Sequence, residues 1–99
     1  MTTLIFDFDE KTIFEEGLTK DELLKDIRFF ASKHDIYEHP VGEFWKEGDS
    51  VALLVGYAVT YSRKHPEYLN YLKSWIVEYD DVTVDCKHEM QNIMRKCHG

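Results

Sequence analysis

The sequence TTLIFDF at residues 2–8 decides the fold class of this chain, because its apolar residues alternate. Leu4, Phe6 and Phe8 point to one side, while the residues between them point to the other. A period of two is typical of a β-strand. We therefore predict that the chain begins with a strand.

The next residues favour a β-hairpin. Residues 9–11 can form a turn, and residues 12–15 contain Thr12, Ile13 and Phe14, which favour strands. A two-stranded hairpin is only marginally stable alone, so a third strand or a helix has to cover it. Short strands at residues 36–37 and at Glu43–Lys46 would complete a small antiparallel sheet.

Two helices are predicted in the middle of the chain. Thr19 and Glu22 form a capping box ahead of a helix that should end near Lys33 or His34. Residues 49–50 then cap a second helix, in which Gly56 suggests close packing. The apolar residues of this second helix recur at helical spacing: Val51, Leu54, Val55, Ala58 and Val59.

Two further apolar stripes predict helices in the last third of the chain. Pro66 ends the preceding helix near Lys64 or His65 and suits the first turn of the next one. Residues 82–84 also alternate, so strand and helix both stay open for residues 82–85. The first stripe is Tyr68, Leu72, Trp75, Ile76 and Tyr79, and the second is Val82, Cys86, Met90, Ile93, Met94 and Cys97.

The expected fold is therefore a single α+β domain over residues 1–99. An N-terminal β-hairpin or small antiparallel sheet packs on a helix-rich core of about four helices. A length of 99 residues with 43% hydrophobic and 14% aromatic side chains fits one such domain and argues against disorder.

Composition excludes several classes of function. The net charge of −7 disfavours direct binding to nucleic acids or anionic membranes. The chain has no apolar run near the roughly 20 residues of a membrane helix. Its first residues lack the basic and apolar segments of a secretory signal, and it has two cysteines. We expect a cytoplasmic protein with reduced thiols.

One short motif resembles an enzyme family. The string LIFDFD at residues 4–9, with Thr12 following, resembles motif I of the haloacid-dehalogenase superfamily. That resemblance implies a nucleophile at Asp7, an acid/base at Asp9 and Mg²⁺ beside them. Glu10 and Lys11 stand where the family has Gly-Thr, and the remaining residues do not predict its parallel sheet. A magnesium-dependent phosphoryl-transfer enzyme is therefore the third-ranked hypothesis.

Cysteine and histidine near the C-terminus have the chemistry of zinc ligands but the wrong spacing. Within one helix, Cys86 and Cys97 would lie about 16 Å apart, too far for one zinc ion or for a disulfide. Both fall on the apolar stripe, so we interpret them as core residues. We predict no metal, no cofactor and no catalytic residue.

The acidic residues cluster near the N-terminus. Residues 1–26 hold eight acidic residues and three lysines, a net charge of −5, while the other 73 residues carry −2. Phe44 and Trp45 add two large aromatics in a polar segment, and tryptophan is enriched at binding hot spots. The candidate partner-binding residues are Asp9, Glu10, Glu15, Glu16, Asp21, Phe44 and Trp45.

These features favour a small acidic, non-enzymatic interaction protein. The most specific hypothesis is an inhibitor whose carboxylates replace phosphates on a basic, nucleic-acid-handling protein. In size, charge and fold class the chain resembles the small inhibitors of phages and mobile elements, such as anti-CRISPR proteins. The alternative is a structural or assembly module that forms a homodimer through a strand edge or a tyrosine-bearing helix.

Overall fold

The computed structural model describes residues 2–48 and 50–98, the last six of these through their backbone alone. Five strands and five helices make an α+β fold, as the sequence predicts. No helix in the described ranges is long and apolar enough to cross a membrane. In chain order the elements are β1 (Thr2–Phe8), α1 (Glu10–Glu15), α2 (Lys20–Lys33), β2 (Tyr37–Glu38), β3 (Glu43–Lys46), α3 (Ser50–Lys64), α4 (Tyr68–Tyr71), β4 (Leu72–Tyr79), β5 (Val82–Asp85) and α5 (Cys86–His98).

The five strands form one antiparallel sheet in the order β2-β3-β1-β4-β5. The first strand of the chain is therefore the central strand of the sheet, with β3 on one side and β4 on the other. The predicted alternation of β1 is confirmed, because Leu4, Phe6 and Phe8 are buried on one face. The short strands predicted near residues 36–37 and 43–46 are also present as β2 and β3.

Aromatic packing fills the core on the covered face of the sheet. The Phe6 ring stacks on Trp75, with ring centroids 5.7 Å apart, and meets Phe44 edge-on at 6.1 Å. Tyr68 packs edge-on against both Phe6 and Phe8. Burying side chains of this size gives a small domain most of its hydrophobic stabilisation.

The predicted second strand of the hairpin is wrong, because residues 12–15 belong to helix α1. Asp9 caps this helix, and its carboxylate accepts a hydrogen bond from the Thr12 amide at 3.1 Å. Glu10 lies in the first turn, where a negative charge complements the helix dipole. Ile13 is buried whereas Phe14 is exposed, so the segment buries one side of a helix instead of alternating.

The helix predicted from Pro66 to Tyr79 is also largely wrong. Only Tyr68–Tyr71 is helical, and Leu72–Tyr79 is strand β4, which pairs along the whole length of β1. Trp75 and Val77 are buried while Ser74 and Ile76 are half-buried, which is the alternation of a strand. Residues 82–85, for which both strand and helix were predicted as possible, form a strand, β5.

The predicted helices α2 and α3 are confirmed. Thr19 caps α2 by accepting a hydrogen bond from the Glu22 amide at 3.2 Å, and His34 follows its last residue. Helix α3 ends at Lys64, just before His65 and Pro66. The part of its predicted cap at Asp49 lies outside the described residues.

Two glycines have opposite environments. Gly42 has a φ of +85°, its carbonyl accepts a hydrogen bond from the Phe6 amide at 2.8 Å, and a Cβ there would lie 2.5 Å from the Phe6 carbonyl oxygen. Around Gly56 no described atom outside the adjacent residues and the backbone of its own helix lies within 4 Å of an added Cβ, so the predicted close packing at Gly56 is wrong.

Substituting each of these glycines with alanine should have opposite effects on stability. Gly42→Ala should lower the free energy of unfolding by about 1–3 kcal/mol, because backbone must move to admit the methyl group. Gly56→Ala should raise it by about 0.5–1 kcal/mol, because alanine is the better helix former. Urea denaturation of both variants checks this, and equal effects would contradict the close approach at Gly42.

Tyr68 ties helix α4 to helix α2 by donating a hydrogen bond to the Leu23 carbonyl at 2.7 Å. Burial raises the pKa of Tyr68 well above its ordinary value. A raised pKa means that the folded state holds the phenol proton more tightly than the unfolded chain does. The resulting stability is complete below about pH 10, the ordinary tyrosine value, and declines above it.

Tyr68→Phe should therefore cost about 1 kcal/mol at pH 7, from the lost hydrogen bond. The stability gap between wild type and variant should narrow above about pH 10, where only the wild type must keep this phenol protonated. Chemical denaturation across alkaline pH measures the gap. Tyr79→Phe, at an exposed position, is the matched control. A gap for Tyr68→Phe that stays constant with pH would contradict the argument.

Candidate protein-interaction surface

The face of the sheet opposite the core is the candidate functional site, and we call it the open face. Every described side chain on it is exposed or half-exposed. The register of the strands assigns these residues to it: Thr3, Ile5, Asp7, Tyr37, Glu43, Trp45, Ser74, Ile76, Glu78, Thr83 and Asp85.

The centre of the open face is apolar and its flanks are acidic. Ile5 pairs with Ile76 across β1 and β4. Glu43 is the neighbour of Ile5 on β3, and Asp85 is the neighbour of Ile76 on β5. With neighbouring strands about 4.8 Å apart, the backbone positions of Glu43 and Asp85 are about 14 Å apart across the isoleucine pair.

A second row of residues crosses the same strands and carries an aromatic pair. Tyr37, Trp45 and Thr3 are successive neighbours on β2, β3 and β1. The rings of Tyr37 and Trp45 have centroids 5.0 Å apart at an angle of 41°. The Trp45 indole N–H donates a hydrogen bond to the His39 carbonyl at 3.2 Å, which fixes the orientation of the ring. This second row of residues continues from Thr3 to Glu78 on β4 and ends at Thr83 on β5.

The charges of the open face have one sign. Its residues include four carboxylates and no lysine or arginine. Lys46, the neighbour of Trp45 along β3, belongs to the other face and donates to the His34 carbonyl at 3.0 Å. Lys73, beside the irregularity in the pairing of β1 with β4, lines an open cavity of about 460 Å³ together with Asp7. This surface can therefore attract a cationic group and pack an apolar or aromatic one beside it.

Two of the predicted partner-binding acids have structural roles. Asp9 caps α1, and its backbone N–H donates to the Tyr71 carbonyl at 2.8 Å. Glu10 pairs with Lys20 at 2.6 Å. The hydrogen bond and charge of Lys20 hold the pKa of Glu10 below its ordinary value. Both acids lie beside Asp7 in the same cavity, at one end of the open face.

The other predicted acids lie on the helices. Glu15 and Glu16 are exposed at the end of α1. Asp21 accepts a hydrogen bond from Arg28 at 2.7 Å, and Arg28 also makes a two-pronged pair with Glu38. The hydrogen bonds that Arg28 donates to Glu38, and then the one it donates to Asp21, raise the pKa of its guanidinium above the ordinary value. The five predicted acids thus do not form one surface, because only Asp9 and Glu10 lie at an end of the open face.

The predicted aromatic pair divides between the two faces. Phe44 is completely buried in the core, so its predicted role at a partner surface needs correction. Consecutive residues of a strand point to opposite faces. Trp45 accordingly lies on the open face, half exposed.

The motif that resembles the haloacid-dehalogenase family lies in a different setting from that family's. Its strand, β1, pairs antiparallel with both neighbours, whereas the family has a parallel sheet. Asp7 lines the cavity described above, and Asp9 uses its carboxylate as a helix cap. Within residues 2–48 and 50–92, no group of three or more acidic, histidine or cysteine side chains is placed to hold a metal ion.

Cys86 is buried, as its place on the apolar stripe predicts. Burial, followed by the charges of Asp85 and Glu89, raises the pKa of the thiol to about 11. A thiol with a raised pKa is a poor nucleophile at neutral pH. Cys97 and His98 carry side chains outside the described part.

Sequence reasoning missed Glu43, Glu78 and Asp85 as members of a common surface. Glu43 comes from β3, which is distant in sequence from β4 and β5, where Glu78 and Asp85 lie. The segment that forms β4 and β5 was predicted as helix or left open. Alternation along 74–78 was the available signal, since Ser74, Ile76 and Glu78 occupy every second position.

No family model, curated protein or solved structure matches this chain.

Replacing the Asp9 carboxylate should reveal its role as a cap. Asp9→Ala should lower the free energy of unfolding by about 0.5–2 kcal/mol, because the first turn of α1 loses its side-chain acceptor. Asp7→Ala, at an exposed position two residues away, should change it by less than about 0.5 kcal/mol. Thermal and urea denaturation of the two variants measure this, and equal losses would argue against capping.

Proposed function

We propose that this protein is a small, non-enzymatic inhibitor that binds a basic surface on a nucleic-acid-handling protein through its open face. The observation that carries the proposal is the composition of that face, which combines four carboxylates with an isoleucine pair and an aromatic pair. Opposite charges steer a partner to the surface, and the apolar centre supplies contact area once water is displaced.

The arrangement of charge supports the proposal. A protein that binds nucleic acid presents lysine and arginine side chains to phosphates. Glu43, Glu78 and Asp85 offer anionic oxygens at separated points on paired strands of one sheet, so they can meet several cations without ordering a flexible loop. Occupying those cations would block access of the nucleic acid to them.

The homodimer alternative has one structural feature in its favour. β5 is an edge strand, and edge strands present unpaired backbone groups to other chains. Pairing two copies there would bring the acidic residues of β5 and its turn together, including Asp80, Asp81 and Asp85. Like charges at such an interface repel each other, which favours binding to a different, basic protein over formation of a homodimer.

Two charge reversals of equal size test the assignment to the open face. Glu43→Lys with Glu78→Lys changes the open face, while Glu15→Lys with Glu16→Lys changes the end of α1. Each pair changes the net charge from −7 by the same amount. The open-face variant should bind its basic partner at least about tenfold more weakly at low salt, while the α1 variant retains affinity.

The partner for this comparison is captured from nuclease-treated lysate on the tagged wild-type protein and eluted with salt. Affinities of both variants are then measured by calorimetry, and their folding is verified by circular dichroism. Equal losses of affinity in the two variants would show that binding depends only on net charge. A loss of affinity in the α1 variant alone would show that the N-terminal acids form the binding site. A captured protein that still binds nucleic acid in the complex would contradict inhibition.

A further inference from the structure

We propose that Tyr37, Trp45 and Glu43 form a receptor for an arginine side chain of the partner. The inference rests on the proposed function, because it names the chemical group that the open face recognises. It assigns to the aromatic end of this face a selectivity for guanidinium over ammonium groups.

The aromatic pair is held in place before any partner arrives. Trp45 is fixed by strand pairing on both sides, by its bond to the His39 carbonyl and by contact with the Tyr37 ring. Tyr37 is 57% exposed. A flat cation can therefore reach an aromatic surface without reorganising it, and this lowers the entropic cost of binding.

A carboxylate lies at the right distance from these rings. Glu43 is two residues from Trp45 on β3 and points to the same face, which places the two positions about 7 Å apart. That separation lets a guanidinium stack on the indole while its outer N–H groups reach the carboxylate. Glu43 is half-buried and makes no ion pair within the described residues, so its carboxylate has no competing cation.

The geometry selects arginine over lysine for a physical reason. A guanidinium is planar, stacks on aromatic rings and presents paired donors to a carboxylate, whereas an ammonium is a compact and strongly hydrated charge. Glu78 lies on the same row as Trp45, two strands away and about 10 Å from it. A second cation of the same segment can pair there, so the occupant we infer is an arginine-bearing basic segment of a protein.

Titration with matched peptides tests the receptor directly. A blocked tri-arginine peptide and a blocked tri-lysine peptide carry equal charge, and NMR follows the indole N–H resonances of the chain's two tryptophans. The Trp45 resonance should shift at about threefold to tenfold lower concentration with the arginine peptide. The resonance of buried Trp75 should stay in place.

Variants separate stacking from general charge. Trp45→Leu and Tyr37→Leu should each reduce the preference for arginine while retaining weak binding of both peptides. Tyr79→Leu removes an exposed tyrosine that is not part of the open face and should leave the preference intact. Equal affinity of the two peptides at the open face would overturn the arginine receptor and leave the proposed function standing. Failure of both peptides to shift open-face resonances would overturn both.

Discussion

The alternation of β1 is the constraint on which the rest of the structure depends. This strand lies at the centre of the sheet, and its residues at even positions form the floor of the core. A slip of one residue in its pairing would expose Phe6 and Phe8 and bury Asp7, at a cost that the small core cannot offset. The close approach of Gly42 to Phe6 helps to hold the register.

The same alternation determines where charge can accumulate. Helices with apolar faces cover one side of the sheet. Long cationic side chains stabilise this packing: Lys46 and Lys87 donate hydrogen bonds to backbone carbonyls, and Arg28 donates to Glu38. These cations serve the covered side of the molecule. At the open face only Lys73, beside Asp7 at one end, offers a positive charge from the strands. The carboxylates of Glu43, Glu78 and Asp85 make no ion pair within the described residues, so the negative charge of this face follows in part from how the fold uses its other cations.

Local sequence patterns predicted the elements whose signals are local. Thr19 and Glu22 marked the start of α2, and the regular apolar spacing after Ser50 marked α3. The patterns failed where tertiary contacts decide. The spacing of Leu72, Ile76 and Tyr79 fits a helix, yet antiparallel pairing with β1 makes this segment a strand and buries Trp75 against Phe6. Residues 12–15 favoured a strand by composition, but the Asp9 cap started a helix.

The candidate site was harder to predict than the fold, because a sheet face collects residues by register. Counting charge along the chain directed attention to residues 1–26, whose acids include the cap at Asp9 and the paired Glu10 and Asp21. The open-face acids come mainly from β3, β4 and β5, and their proximity follows only from knowing that each strand lies in this order. The local sequence identified Trp45 as a candidate. That Trp45 and Phe44 point to opposite faces of the sheet follows only once the two residues are known to lie on a strand, β3. In three dimensions the acidic side chains of this protein thus fall into two groups. Asp9, Glu10 and Asp21 cap or pair within the N-terminal helices, while Glu43, Glu78 and Asp85 make no ion pair within the described residues.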